Sequence, residues 1–355
     1  MKNIYLLKNS EYGRLGEKAT YILDSNIVIS LRDLFYKPQK IKKEDREELE
    51  ELLKLLRNNH VIDGIGVTEC SWNFQEFNQD DTKAERIKYA LDLLLEYDEE
   101  HLKRVFRDLE ETTCPQHNPI SKGKRVCGNL NDNAEINYMM LPTIAVFLKF
   151  YQLLEGNVER IKEGLLAVQE RRNIYKEVIK FVDLEMHFVP AYEVWCITEI
   201  LFNNDENRDK ILELLKLKGK ASKGKQIREK VWNAGWDIFF MRILSESTLR
   251  YIRGEMLDNW SVHNPILVTK DKNLYEIGNE SMTGGGAGIK YINGEMEVGL
   301  DLEFPNISDE DYEFIEDMMW GVEQNKELRL KFMKEANFVE HFKGIVKKLE
   351  IELNL

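Results

Sequence analysis

An apolar segment near the start of the chain, residues 21–23, runs directly into Asp24, and Asn26 follows two positions later. An apolar run that ends on an acid predicts a buried parallel strand whose carboxyl end presents a carboxylate. A second run of this kind, residues 266–268, is followed by Thr269 and Asp271. Ligands of open α/β sheets bind at the carboxyl ends of the strands. The two strand-end acids therefore predict one shared site.

The composition limits the possible partners and the compartment. The 355 residues carry a net charge of −13, so nucleic acid would need a local basic groove rather than a positive field over the whole surface. Four cysteines without regular spacing do not form a disulfide framework, which predicts a reducing, cytoplasmic location. The longest apolar run, residues 139–148, is too short to span a bilayer, so no membrane association is expected.

Apolar periodicity predicts the order strand, helix, strand, long helical stretch, strand, helix, strand, which favours an α/β fold with a parallel sheet. Middle strands are predicted at residues 61–69 and 185–190, and a hairpin at residues 289–304. The helical stretch is too long for one crossover and predicts an all-α insertion. The expected domains are a discontinuous core (residues 1–82 and 185–304), a helical insertion (83–184) and a C-terminal helical extension (305–355).

Four acids are candidates for a metal site. Asp24 and Asp271 follow strands, Glu69 is expected to open the helix after the second strand, and Asp237 lies near the start of a later helix. Mg²⁺ and similar hard cations prefer carboxylate oxygens. The alternative is that these four acids do not bind a metal, because most of the 63 acidic residues of the chain are expected to be solvated or to lie at helix starts. The apolar strands before Asp24 and Asp271 favour the functional interpretation.

These motifs together resemble the PIN (PilT N-terminus) domain ribonucleases. Leu-Asp-Ser-Asn at 23–26 is similar to the family's opening motif, and Val-Thr-Glu-Cys at 67–70 to its second acidic motif. Phe-Val-Pro at 188–190 resembles the third strand, and Trp-Asp-Ile at 236–238 the acid carried on a helix. The segment 268–274 is close to the Thr-x-Asp-x-x-Leu signature. The resemblance covers about residues 19–82 and 185–300, and the helical insertion and the acidic charge depart from it.

The resemblance implies a PIN-like parallel sheet flanked by helices and metal-dependent hydrolysis of phosphodiester bonds, usually in RNA. It implies an endoribonuclease with Mg²⁺ or Mn²⁺ as cofactor and RNA as substrate, and DNA stays open as an alternative substrate. The metal ligands or water-orienting bases would be Asp24, Glu69, Asp237 and Asp271. Asn26 and Thr269 would support them.

Other interpretations of the same residues stay open. A PIN-like scaffold could bind RNA or protein without cleaving, although four retained acids argue against it. A phosphohydrolase of the haloacid dehalogenase type would need a second Asp where the chain has Asn26. A role in defence, a regulatory protein partner and a homo-oligomer are all compatible with the sequence. Ser25 is equally suited to capping the next helix and to contacting phosphate.

Basic residues near Asp237 are candidates for nucleic-acid contact, with a solvated linker as the alternative. They are Lys218, Lys220, Lys223, Lys225 and Arg228. A second basic group, in a loop of the predicted insertion, comprises Lys122, Lys124 and Arg125. A zinc site at Cys114, His117 and Cys127 is disfavoured because a fourth ligand is not evident. The helical tryptophans 232, 236 and 320 are expected in the core.

Overall fold

The computed structural model describes residues 2–8, 19–73, 75–96, 133–154, 157–203, 206–217, 225–253, 264–283, 287–292, 295–300, 307–335 and 337–355. The chain forms two compact units. The first comprises Met1–Asn133 and Ile243–Thr283, and the second comprises Ala134–Arg242 and Gly284–Leu355.

Short strands and longer helices alternate along the chain. Up to residue 96 the elements are β1 (Tyr5–Leu7), β2 (Thr20–Leu23), α1 (Ser25–Tyr36), a 3-10 turn (Pro38–Lys40), α2 (Lys43–Leu56), β3 (His60–Ile62), α3 (Gly64–Ser71), β4 (Trp72–Asn73), β5 (Asn78–Gln79) and α4 (Asp81–Glu96). From residue 133 they are α5 (Asn133–Leu153), α6 (Val158–Lys162), α7 (Val168–Lys180), a π-helix (Phe181–Glu185), α8 (Ala191–Phe202), α9 (Glu206–Leu214) and α10 (Lys225–Arg253). The remaining elements are β6 (Pro265–Thr269), α11 (Lys272–Thr283), β7 (Ala287–Ile292), β8 (Glu295–Leu300), α12 (Asp309–Gln324), α13 (Lys326–Glu335) and α14 (Phe338–Glu352).

The first unit is built on a four-stranded sheet in the order β1-β6-β2-β3. Strand β2 is buried along its whole length and pairs in parallel with both β3 and β6, so these three strands end at the same edge of the sheet. Strand β1 runs antiparallel to β6, with Tyr5 opposite Thr269. The α/β class is therefore found in a mostly helical chain, and the sheet is mixed instead of purely parallel.

Helices α1, α2 and α4 complete the core of the first unit. Their buried apolar residues recur at helical spacing and join one cluster with the strands, as Leu31, Leu52 and Leu91 illustrate. Helix α4 falls in the segment that the sequence assigned to the insertion, 83–184. Its buried residues share the core of the sheet, so the first unit extends beyond the predicted boundary.

The second unit is mostly helical. Every residue of α8 from Tyr192 to Phe202 is buried, including Glu193 and Glu199. Glu193 accepts hydrogen bonds from Thr143 and from Arg242, which ties α8 to α5 and α10.

The hairpin predicted from residue 289 is confirmed as β7 paired with β8, and the turn at 293–294 lies outside the described residues. The C-terminal helices are also confirmed, and Ser308 caps α12 by accepting from the backbone N–H of Asp311.

One predicted strand is wrong, and a second is much shorter than predicted. The predicted strand at 185–190 is instead the end of the π-helix and a bend, in which His187 has a φ of 51°. The backbone N–H of Phe188 donates to the carbonyl of Val182, so its hydrogen bond closes locally instead of joining a sheet. The strand predicted at 61–69 ends at Ile62, and helix α3 follows.

Helix α3 forms because tertiary packing outweighs the β-branched composition of its sequence. Its bonds are helical: Val67 N–H donates to the carbonyl of Asp63, and the Thr68 hydroxyl donates to the carbonyl of Gly64. The helix buries Ile65, Val67 and Thr68. Glu69 consequently lies near the end of a helix, whereas the sequence predicted that it would open one.

Candidate active site

The Asp24 carboxylate lies at the carboxyl end of β2. Asp24 is the N-cap residue of α1, and only 3% of it is exposed. Its Oδ2 accepts hydrogen bonds from Asn26 Nδ2 and from Thr269 Oγ1, both at 2.5 Å. Ser25 begins α1 and does not cap it, since the cap position belongs to Asp24. The carboxylate is thus held in place by two of its predicted supporting residues.

The ends of β2 and β6 are joined through Asn26 and Thr269. Asn26 Oδ1 accepts from the backbone N–H of Lys270 at 2.8 Å, and Asn26 Nδ2 donates to Thr269 Oγ1 at 3.2 Å. Thr269 Oγ1 also accepts from the backbone N–H of Asp271 at 2.9 Å. One hydroxyl therefore contacts both strand-end acids, one through its carboxylate and the other through its backbone.

Asp271 has a structural task as well. Its Oδ1 accepts from the backbone N–H of Leu274 at 3.0 Å, which caps the first turn of α11. This contact accounts for one carboxylate oxygen of Asp271. The other oxygen is the one that a ligand could use without uncapping the helix.

The environment of Asp24 makes its ionisation costly. Burial raises the pKa of Asp24 from 3.8 to about 6, against hydrogen bonds from Thr269 and Ser25 that lower it, and the nearby charge of Asp271 raises it further. The shift reports a desolvated carboxylate beside a like charge. A bound cation would relieve both penalties.

Helix α3, which carries Glu69, packs closely against this edge of the sheet. A Cβ added to Gly66 would lie 2.5 Å from the carbonyl oxygen of Leu23 and 2.8 Å from Val28 Cγ2. At the other end of α3, Cys70 Sγ donates to the carbonyl of Ser25 at 3.6 Å. Helix α3 therefore lies against the backbone on either side of Asp24.

The pKa of the Cys70 thiol reflects its burial and the charges around it. Burial raises the pKa of Cys70 to about 12, and the negative charges of Glu69 and Asp24 raise it in addition. Arg32 and Lys83 act in the opposite direction. The charges of Glu69 and Asp24 therefore both act on Cys70, and the thiol is protonated and unreactive at neutral pH.

The other acids differ in their placement. Asp237 lies near the middle of α10 instead of near the start of a helix as predicted, and it is half-buried in the second unit. Its convergence with Asp24, Glu69 and Asp271 stays a prediction. Sequence reasoning missed Asp63, which directly follows β3 and is only 1% exposed. Its signal was available, because residues 61–62 are apolar and end on an acid, as residues 21–23 do.

The carboxylate oxygens of the candidate site are suitable ligands for a hard cation, but their present arrangement is not that of a metal site. Among the described residues, no group of three or more His, Cys, Asp or Glu side chains is already arranged to hold a metal ion. Asp24 Oδ2 and Asp271 Oδ1 are occupied by hydrogen bonds. The carboxylates of Asp24, Glu69 and Asp271 nevertheless provide the oxygen ligands that Mg²⁺ and Mn²⁺ prefer, and the second oxygen of Asp24 and of Asp271 would be the one to bind such an ion.

The predicted nucleic-acid residues are only partly described. Lys218, Lys220 and Lys223 lie outside the described residues, as do Lys122, Lys124, Arg125 and the predicted cysteine and histidine cluster at 114–127. Lys225 begins α10. Arg228 is engaged in an ion pair with Glu350 at 2.6 Å, and Lys230 donates to the carbonyl of Lys216. Arg228 therefore has a packing role in the second unit.

The second unit contains a cavity of about 730 Å³ between α5, the π-helix and α14. Its cationic lining groups are already engaged: Lys149 donates to Gln152 at 2.9 Å, and Lys348 lies 3.7 Å from Glu185. The cavity contains none of the predicted site acids. The carboxylates of the first unit thus remain the candidate for chemistry.

Replacing Thr269 with Val tests the link between the strand ends. The loss of a buried hydroxyl that contacts Asp24 should lower the free energy of unfolding by about 1–3 kcal/mol. Because the hydrogen bond from Thr269 lowers the pKa of Asp24, its removal should move that pKa above its present value of about 6. Carboxyl ¹³C NMR would follow the titration. Thr269→Ser retains the hydroxyl and is the matched control, so an equal pKa in both variants would contradict the assignment.

Comparison with known proteins gives no match: no family model, no curated protein and no solved structure matches this chain. Within the parts of the chain that the structure describes, no helix is both long and apolar enough to cross a membrane.

Proposed function

We propose that the chain is a metal-dependent nuclease that cleaves phosphodiester bonds within RNA. The observation that carries this proposal is the link between two strand-end acids at one edge of the sheet: the hydroxyl of Thr269 donates to the Asp24 carboxylate and accepts from the backbone N–H of Asp271. The motif resemblance to PIN ribonucleases supports the same function. Glu69 adds a third carboxylate on a helix packed against this edge.

Each residue of the site would have a distinct task. Asp24, Glu69 and Asp271 would hold Mg²⁺ or Mn²⁺, which supplies charge neutralisation at the scissile phosphate and acidifies a bound water. Asn26 and Thr269 orient the Asp24 carboxylate by donating to its Oδ2. Asp237 is proposed as a further acid of this site.

One observation favours a second function. Asp271 caps α11, and Asp24 is engaged with Asn26 and Thr269, so both acids also have structural partners. In a PIN-like scaffold that binds RNA or protein without cleaving, these acids would have only their structural hydrogen bonds. A scaffold of this kind would show no dependence on divalent cations.

Cleavage of end-labelled RNA, single-stranded and structured, separates the two functions. The full chain should produce internal cuts with Mg²⁺ or Mn²⁺, and both chelation and Asp24→Asn should abolish them, because the lost charge weakens cation binding. Glu85→Gln removes an exposed acid of α4 in the same unit and should leave cleavage unchanged. Cleavage that survives chelation or Asp24→Asn would assign the chemistry to another site.

If no cleavage is detected, calorimetry with Mn²⁺ provides the next comparison. Binding of Mn²⁺ by the parent chain and its loss in Asp24→Asn would support a cation site. Absence of Mn²⁺ binding would favour the scaffold.

A further inference from the structure

Helix α12 presents a tryptophan to solvent. Trp320 is 69% exposed, which contradicts its prediction as a core residue, whereas Trp232 and Trp236 are buried as predicted. The buried side of α12 is formed by Asp311, Ile315 and Val322. At 100° per residue, Trp320 lies on the opposite side of the helix. Packing within the chain therefore does not explain this tryptophan.

Acidic side chains surround Trp320. Glu316 and Asp317 precede it by four and three positions, which places them within one helical turn on the same side. Both are exposed, and within the described part of the chain neither takes part in an ion pair. Helix α12 contains no Lys or Arg, although Glu323 pairs with Lys326 of α13. We call the surface formed by Trp320, Glu316, Asp317 and the exposed Glu313 the acidic tryptophan face.

The charge of this face limits what can cover it. A second copy would bring the same acids against each other, since a two-fold interface pairs identical surfaces. RNA phosphates and anionic lipids would be repelled for the same reason. A cationic partner meets no such penalty, and its Lys or Arg side chains can also stack on an indole ring.

We propose that the acidic tryptophan face docks a basic amphipathic segment of a partner protein. Trp320 is the central contact, because exposed tryptophans that become buried contribute disproportionately to protein interfaces. Glu313, Glu316 and Asp317 pair with Lys or Arg residues spaced three or four apart on the partner helix. This interaction is independent of the nuclease site, since all its residues lie on one helix of the second unit.

The test uses the full chain and a designed fluorescent peptide. The peptide has one apolar face and Lys or Arg on the flanks, and a second peptide carries Glu in their place. Anisotropy should show binding of the basic peptide only. Trp320→Ala should weaken it by about tenfold or more, and Glu316→Gln with Asp317→Asn should weaken it most at low salt.

Control variants remove chemically similar exposed groups at other positions of the chain. Ile351→Ala truncates another exposed apolar residue, and Glu85→Gln with Glu163→Gln removes two exposed acids. Both should bind the peptide as the parent does. Trp320→Gln serves as a second variant if Trp320→Ala does not fold.

Several results would overturn the proposal. Unchanged affinity in the Trp320 variants, or equal binding of the Glu-substituted peptide, would show that the face does not recognise basic segments. Sedimentation that detects a dimer lost on Trp320 substitution would assign the face to a second copy. Loss of RNA binding in the same variants would assign it to nucleic acid.

Discussion

Replacing Asp24 with Asn should stabilise the metal-free protein at neutral pH. The pKa of Asp24 is raised by burial from 3.8 to about 6, so the folded state binds its proton more tightly than the unfolded state does. The stability from the protonated carboxyl is fully present below pH 3.8 and is lost as the pH rises through about 6. The loss amounts to about 3 kcal/mol, and the Asn variant does not incur it.

Hydrogen exchange of β2 and β6 would measure this effect within the first unit. The free energy of opening in Asp24→Asn should exceed that of the parent at pH 7 and should approach it near pH 4. Mn²⁺ should stabilise the parent and leave the variant unchanged, because the cation offsets the buried charge that the variant lacks. Destabilisation of the variant at pH 7 without metal would contradict the desolvation of Asp24. Equal stabilisation of both proteins by Mn²⁺ would contradict its role as a ligand.

Replacing Gly66 with Ala should destabilise the first unit and disturb the site together. The added Cβ would lie 2.5 Å from the carbonyl oxygen of Leu23, and a backbone atom cannot move aside as a flexible side chain would. Overpacking of this kind costs about 1–3 kcal/mol. Helix α3 should shift away from β2 and carry Glu69 with it, so cation binding should weaken as well.

Gly64→Ala is the matched control for this prediction. Gly64 lies on the same helix, and a Cβ added there meets nothing within 4 Å. Its stability should stay the same or rise by up to about 1 kcal/mol, because Ala favours the helix. Hydrogen exchange of α3 and β2 would compare the variants. Similar protection in Gly66→Ala and in the parent would show that α3 can retreat without loss.

The strand ends were the most predictable part of the molecule. An apolar run followed by an acid has few structural uses other than a buried strand that ends at a polar edge, and β2 and β6 follow that rule at Asp24 and Asp271. The supporting residues are also part of these motifs, since Asn26 and Thr269 each lie two residues from one of the acids, although most of their hydrogen bonds join the two distant motifs. The sequence did not predict the antiparallel strand β1.

The segments that could not be predicted depend on distant contacts. Residues 61–69 have a strand-like composition, but Gly66 lets a helix pack on the backbone of β2, and this fit cannot be seen in a single sequence. Residues 185–190 lack a sheet partner, and their backbone bonds to the preceding π-helix instead. Trp320 was expected in the core because helical spacing does not reveal which side of a helix is covered. A Mn²⁺-bound crystal structure would test the joint placement of Asp237 with the other acids.

The pairing of β2 with β6 sets when the site can exist during protein synthesis. The hydrogen bond from Thr269 to Asp24 joins residues 245 positions apart. At roughly 5–20 residues per second, a ribosome needs about 12–50 s to add that length of chain. Until then β2 lacks its neighbour β6, and the carboxylate of Asp24 has neither Thr269 nor Asp271 beside it. Under the proposed nuclease function, a nascent chain attached to its own messenger RNA would therefore be inert for most of its elongation, because the topology alone delays the assembly of the site.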